Sequence, residues 1–380
     1  MAQLSVVRSP HDEALELART LPAPGPPPGR FWKIDVTKID VDGFSPGSSE
    51  ARVEIASKAA LRGVVACDLA AAAASHPREA AAEGTVVDWR GGKFAALNAA
   101  HRQSRLCVII PHGVVVDEPI VVRYHLRGQA AFPYTLVVAN EGAKATIVIR
   151  FEAESGVSLV SEVVEAVAAE RSNLECVVMQ DLPKSARIFS SRRGKVAGDA
   201  ELRWAIAELG SGLSVGDVRS ILTAPGAGTT IAGVFFPAGE QHLDLASEAE
   251  HPAPQTRSET LFKSAAVGGG QARFVGNIRI HRAAHGADAT LRDDALLLSK
   301  DAHIDSIPAL EIAANDVKAY HGATIGALNQ EEIFYATTRG IARPDAERMI
   351  ALGFFEPAIA RFPTEGLRYE LRTKLAEKIV

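Results

Sequence analysis

Thiols are scarce in this chain. Its 380 residues include three cysteines, Cys67, Cys107 and Cys176, which are far apart and odd in number, and no Cys-x-x-Cys occurs. That argues against a disulfide framework, fits a reducing cytoplasm, and leaves too few thiolates for a four-cysteine metal centre within one chain. Positive charge is not in excess either. The net charge is −5 and the pI about 6.1, which argues against the basic stripe of a nucleic-acid-binding protein. No run of 18 apolar residues is present, so no helix is expected to span a membrane. The start, Met1-Ala2-Gln3-Leu4-Ser5, lacks the basic stretch and apolar core of a secretory signal. No Gly-Lys-Ser/Thr follows Gly268-Gly269-Gly270, which excludes a phosphate loop there. Gly-x-Ser-x-Gly and His-Glu-x-x-His are absent too. The chain reads as cytoplasmic, with no membrane and no nucleic acid among its partners.

What is present is the composition of a globular protein, 47% hydrophobic and 23% charged. Its texture changes along the chain. Residues 1–90 read as an N-terminal helical segment. Pro10, after Ser9, opens a helix over His11 to Thr20, and Glu54 to Ala73 is rich in Ala and Leu. Between them, Pro22 to Gly29 forms a stiff, extended linker. Residues 91–330 carry short β-branched runs: Leu106 to Ile110, Ile120 to Tyr124, Tyr134 to Val138, Ala145 to Phe151 and Leu174 to Met179. Breaks such as Pro111-His112-Gly113 and Asn140-Glu141-Gly142 separate them. This pattern suits a β-sandwich or a β-helix. Residues 331–380 return to helix. Pro344 starts one that runs to Gly353, a second begins near Glu356-Pro357, and Leu371 to Val380 is a charged amphipathic tail.

The densest chemistry lies in Pro308-Ala309-Leu310-Glu311-Ile312 and the following Ala319-Tyr320-His321-Gly322-Ala323-Thr324. His321 precedes a glycine free to adopt positive φ, and a neutral imidazole can bind iron or zinc. The plainer reading is a turn histidine bonded to backbone. Glu311 and Asp316 could hold iron beside it, or instead pair within a sheet and sit in a turn. His281, His285 and His303 extend a histidine-rich region, and rungs of a β-helix could stack some of them. Lys263 is a solvated strand residue or lines a transfer path. Cys107 and Cys176, inside apolar runs, read as buried and inert.

Several fragments recur in order: Phe94 to Ala100, Pro111-His112-Gly113-Val114 with Glu118-Pro119-Ile120, Arg257 to Lys263 before Phe274-Val275-Gly276, and the Glu311 and His321 motifs. Together they resemble the SufB/SufD family of iron–sulfur cluster assembly proteins, and His-Gly-Ala-Thr resembles its SufD branch. A SufB-type chain would show His-Glu instead of His-Gly. The resemblance implies a mainly β fold, a right-handed parallel β-helix core flanked by N-terminal and C-terminal helical segments. It implies a non-catalytic scaffold that pairs with a SufB-type paralogue and docks a SufC-type ABC ATPase on residues 331–380. Met349, Ile350, Phe354 and Phe355 are the candidate docking contacts, unless they pack on the β core. A nascent iron–sulfur cluster would form at the subunit interface near His321, with Glu311 as a second candidate ligand, and none would be stably bound by this chain alone. One departure stands out: Ala319-Tyr320 replaces the Cys-Ser often found before His-Gly-Ala-Thr, so a soft thiolate ligand is missing. Two alternatives remain at this level. One is a homodimeric SufB/SufD-like scaffold. The other is a carbohydrate-active β-helix enzyme built on Asp293-Asp294, whose neighbouring side chains face opposite ways in a strand.

Overall fold

The computed structural model describes residues 10–22, 43–103 and 105–379. The helix opened by Pro10 forms as α1 (Pro10–Thr20). Most of the proline-rich linker lies outside the described residues.

The chain builds two stacked sheets by passing back and forth between them. Its strands begin with β1 (Ser48–Glu54), β2 (Val65–Asp68), β3 (Leu106–Ile110), β4 (Ile120–Arg127), β5 (Ala130–Ala131) and β6 (Tyr134–Ala139). They continue as β7 (Lys144–Ala153), β8 (Leu159–Ala168), β9 (Asn173–Gln180), β10 (Arg187–Val196), β11 (Glu201–Glu208), β12 (Leu213–Leu222) and β13 (Gly228–Phe235). The last six are β14 (His242–His251), β15 (Arg257–Ala266), β16 (Gln271–Ile280), β17 (Ala287–Leu297), β18 (His303–Ile312) and β19 (Val317–Ala327). One sheet runs β1-β4-β7-β9-β11-β13-β15-β17-β19, the other β18-β16-β14-β12-β10-β8-β6-β3-β2. From β3 and β4 onward every pairing is parallel, whereas β1 and β2 add antiparallel to β4 and β3. This is a parallel β-solenoid, as the resemblance implied.

The interior is filled by alternate residues from both sheets. Trp204, Phe235, Phe262 and Phe274 are its largest apolar members. Phe262 and Phe274 approach to 4.6 Å between centroids. Gly233 makes room for this, because a Cβ there would meet Phe262 Cε1 at 2.4 Å. The interior also holds charge. Arg192 donates to Glu162 at 2.7 Å and to Glu208 at 2.5 Å, all three nearly fully buried. Such a group is held together by mutual pairing, and losing one member leaves an uncompensated charge.

Helices cover the outer faces. On the second sheet, α1 and α5 (Lys93–His101) bury Ala18, Leu97 and Phe132 against Phe189 and Val215. On the first sheet, α7 (Arg343–Ile359) and α8 (Glu365–Lys378) bury Phe355, Phe362, Leu371 and Leu375 against Val177, Met179 and Phe236. The short α6 (Gln330–Thr338) links β19 to them.

Two stretches differ from the sequence reading. Glu54 to Ala73 is not one helix. It comprises the end of β1, α2 (Ser57–Leu61), β2 and the start of α3 (Leu69–Ser75). Gly63, at φ +84°, ends the first turn, and Asp68 Oδ1 caps α3 by accepting from Ala70 N at 2.9 Å. A short α4 (Pro77–Ala80) follows, with proline in its first turn. At the other end, α7 runs through both Gly353 and Pro357. The proline ring crowds the carbonyl four residues back, which is that of Gly353, the most adaptable backbone available. Burial of Phe355, Ala358 and Ile359 holds the helix across the break.

Candidate functional site

His321 lies mid-way along β19, opposite Leu291 in β17. Leu291 is in the core, so by alternation His321, Ala323 and Ile325 share the inner face of the last rung. Among the described residues no strand follows β19 in its sheet, nor β18 in the other. The inner face is therefore open at this end, and Ile325 is exposed although it points inward. The His321 ring is half-buried, and its Nδ1 is buried without a hydrogen-bond partner. Gly322 sits in extended strand and has no need of positive φ, so His321 is not a turn histidine.

Glu311 faces out from β18 and is engaged. It accepts from Arg279 Nε and Asn277 Nδ2, each at 3.0 Å. The hydrogen bond from Arg279 holds its carboxyl below the usual range. Asp316 lies in the turn between the last two strands, where its carbonyl accepts from Gly286 N at 2.7 Å. The other histidines do not gather. His281 bonds Glu250 at 2.7 Å, His303 bonds Asp305 at 3.0 Å at the opposite end of the strands, and no histidine column forms. Their separations of 22 and 18 residues do not match the rung, which here carries Gln271 onto His303. Among the described residues, no three His, Cys, Asp or Glu side chains converge to hold a metal ion.

Behind His321 lies chemistry that the sequence did not announce. Lys263 is buried, not solvated. Its Nζ donates to Asp294 Oδ2 at 2.7 Å and sits 4.5 Å over the Phe354 ring of α7. Thr324 Oγ1 of β19 donates to Asp294 Oδ1 at 2.6 Å, and Arg292 Nε donates to Asp294 Oδ2 at 2.8 Å. Burial alone would raise the Asp294 carboxyl, but the bonds from Lys263 and Thr324 outweigh it and hold it below the usual range. Asp293 points the other way, into the interior, fully buried. Burial pushes it up to about 7, and the Ser306 hydroxyl faces it without closing a well-formed hydrogen bond. The two aspartates thus sit on opposite faces and do not form a carboxylate pair. His251 is likewise internal, bonded to Thr256 and Ser258 at 2.8 Å each and depressed by burial to about 4.

The docking candidates divide. Met349 is 51% exposed, and Ile350 and Phe354 are half-buried. Phe355, the fourth candidate, packs on the core instead, wholly buried and stacked on Phe236 at 5.9 Å. Phe334 and Tyr335 of α6, which the sequence reading passed over, are 70% and 62% exposed.

The chain is a parallel β-solenoid with helices on both outer faces and a histidine inside its open last rung. Residues 122–354 match the SUF system FeS cluster assembly, SufBD core domain, and the chain belongs to the SufBD family. Proteins called iron–sulfur cluster assembly SufBD family protein from Staphylococcus epidermidis and Staphylococcus saprophyticus are 28% identical to it over 285 residues. A relative of the same description from Staphylococcus aureus matches equally. The aligned region covers 74% of this chain and 61% of each relative. Family membership displaces the carbohydrate-enzyme alternative. No helix among the described residues is long and apolar enough to cross a membrane.

Proposed function

We propose that this chain is a SufD-like scaffold subunit of a cytoplasmic iron–sulfur cluster assembly complex. The observation that carries this reading is the open end of the solenoid, where each parallel sheet ends in an edge strand, β18 and β19, and β19 carries His321 with its unpartnered Nδ1. Exposed edges are templates for strand addition, and a SufB-type paralogue would extend both sheets there. The nascent cluster is cargo. His321 would offer one nitrogen ligand, and the paralogue the remainder, since position 319 is alanine. Glu311 is left out of the ligand set, because its carboxylate is committed to Arg279.

The chain itself is non-catalytic in this reading. A SufC-type ATPase docks on the C-terminal helices through Met349, Ile350 and the rim of Phe354, joined by Phe334 and Tyr335. Exposed aromatic and methionine side chains of this kind are typical interface anchors.

Co-expression of the tagged chain with SufB-type and SufC-type proteins tests the proposal, with His321→Ala alongside. Both partners should co-purify with either version, while cluster maturation fails only in the variant. Loss of partners from the wild type would refute the complex. Full maturation by the variant would refute the role of His321.

A further inference from the structure

The three cysteines are not all isolated in space. Cys67 on β2 lies directly opposite Cys107 on the antiparallel β3. Two positions further along the same register, Leu69 N donates to Arg105 O at 2.7 Å. Hydrogen-bonded and non-bonded pairs alternate along an antiparallel ladder, so Cys67 and Cys107 again form a hydrogen-bonded pair. Such a pair has Cα atoms about 5.5 Å apart, inside the roughly 4.4–6.8 Å that disulfides span, and Cβ atoms up to about 5.5 Å apart, so the bond closes as the edge strand β2 draws in by about 1 Å. Residues opposite one another project to the same face. Both side chains indeed pack in the outer cluster with Ile109, Tyr134 and Leu136.

The two thiols are unequal. Cys107 is fully buried, whereas Cys67 is half-buried on the last strand of its sheet. Both are free thiols. Cys176 is also buried but faces the core from the other sheet, with no cysteine opposite it.

We propose that Cys67 and Cys107 form a reversible dithiol–disulfide pair that is oxidised by small-molecule disulfides. In the first step the Cys67 thiolate attacks one sulfur of the small disulfide. That S–S bond breaks, one small thiol leaves, and Cys67 carries the other half as a mixed disulfide. In the second step the Cys107 thiol attacks Cys67 Sγ and its proton passes to the departing sulfur, releasing the second small thiol. Two protein thiols lose two electrons, and one small disulfide becomes two thiols. Cys67 reacts first because it alone is reachable, and Cys107 resolves because it is held opposite. Burial pushes both thiols upward, Cys107 to about 12, so exchange is slow at neutral pH and faster in mild base. A reducing compartment keeps the pair as dithiol, which makes the bond a response to oxidation and not a structural fixture. Once formed, it fastens the edge strand β2 to β3 and closes a loop containing α3, α4 and α5.

Incubating the intact full-length protein with oxidised glutathione at pH 8, then denaturing and alkylating, tests this by mass. Free thiols should fall from three to one, leaving Cys176, with the polypeptide about 2 Da lighter before alkylation. Peptide mapping should join the Cys67 and Cys107 peptides, and dithiothreitol should release them. Cys107→Ser should instead retain a glutathione adduct on Cys67, and Cys67→Ser should resist modification. Three alkylated cysteines after prolonged exposure would overturn the proposal. So would a stable adduct on wild-type Cys67, or a bond to Cys176.

Discussion

Replacing Lys263 by methionine should loosen the last rung through side chains stacked in register across β15, β17 and β19. The ammonium ties Asp294 of β17 to the ring of Phe354 on α7, and Asp294 in turn receives Thr324 from β19. The side chains of Lys263 and Asp294 are only 10% and 3% exposed, so screening by solvent is weak. Breaking a buried pair from one side costs about 3–5 kcal/mol. Arg292 still donates to Asp294, which puts Lys263→Met near 3, or about a hundredfold in opening equilibrium. Asp294→Asn should cost about 2–3 kcal/mol, because the stranded ammonium keeps only the Phe354 face. The double variant buries neither charge. It should cost about the same as one single variant, a coupling of about 2–3 kcal/mol. Native-state hydrogen exchange at the amides of β17, β19 and α7 reads these openings directly. The Asp294 pKa is held down, so the pair's contribution is fully present above the unfolded aspartate pKa of about 3.9. It is lost only as pH falls through the lower folded value. Additive variants within about 0.5 kcal/mol, or unchanged exchange in β19, would refute a network spanning helix and edge strand.

Asp293, raised to about 7, stays protonated in the folded chain while the unfolded chain ionises, so stability should fall as pH rises from about 4 to 7. Asp293→Asn should remove that slope, worth on the order of 4 kcal/mol, and raise the thermal midpoint more at pH 7.5 than at pH 4.5. His251 works in the opposite sense: depressed to about 4, it should cost stability as pH falls from about 6.5, on the order of 3 kcal/mol, and His251→Gln should flatten that limb in the same melting series. If the chain docks an ATPase as proposed, Met349→Asp with Phe334→Asp should weaken co-purification at least tenfold and leave circular dichroism unchanged, since both side chains are exposed. Ile325→Pro removes one edge N–H and should weaken paralogue pairing without touching His321, as read by size-exclusion chromatography of the mixed subunits.

Local patterns were legible where one residue's chemistry decides the outcome. The run Leu106 to Ile110 is a strand with the ends read from its β-branched residues, and Pro344 does sit in the first turn of a helix. The solenoid and the family came from motifs dispersed over the chain, because periodicity alone left sandwich and β-helix equal. What failed was decided by tertiary contact. Ala-rich Leu69 to Ser75 is helical, but Val65 to Asp68 just before it joins a sheet edge. Gly353 and Pro357 did not end α7, because the buried face on both sides outweighs their local cost. Lys263 gave no sign of burial, since its partner lies 31 residues away in the next rung. The pairing of Cys67 with Cys107 is a matter of register, and register is not written in either residue's neighbourhood.

The open end has one more consequence. In a stacked array each layer is steadied by the layers on either side, and stability accumulates neighbour by neighbour. Among the described residues the layer made by β18 and β19 has a neighbour on one side only. It is therefore a terminal layer, held by one set of strand pairings and the Thr324 tether. Any strand that settles on that edge supplies the missing neighbour. Tightening of the array and occupation of its end then become one equilibrium, and amide protection around His321 serves as a gauge of whether the end is filled.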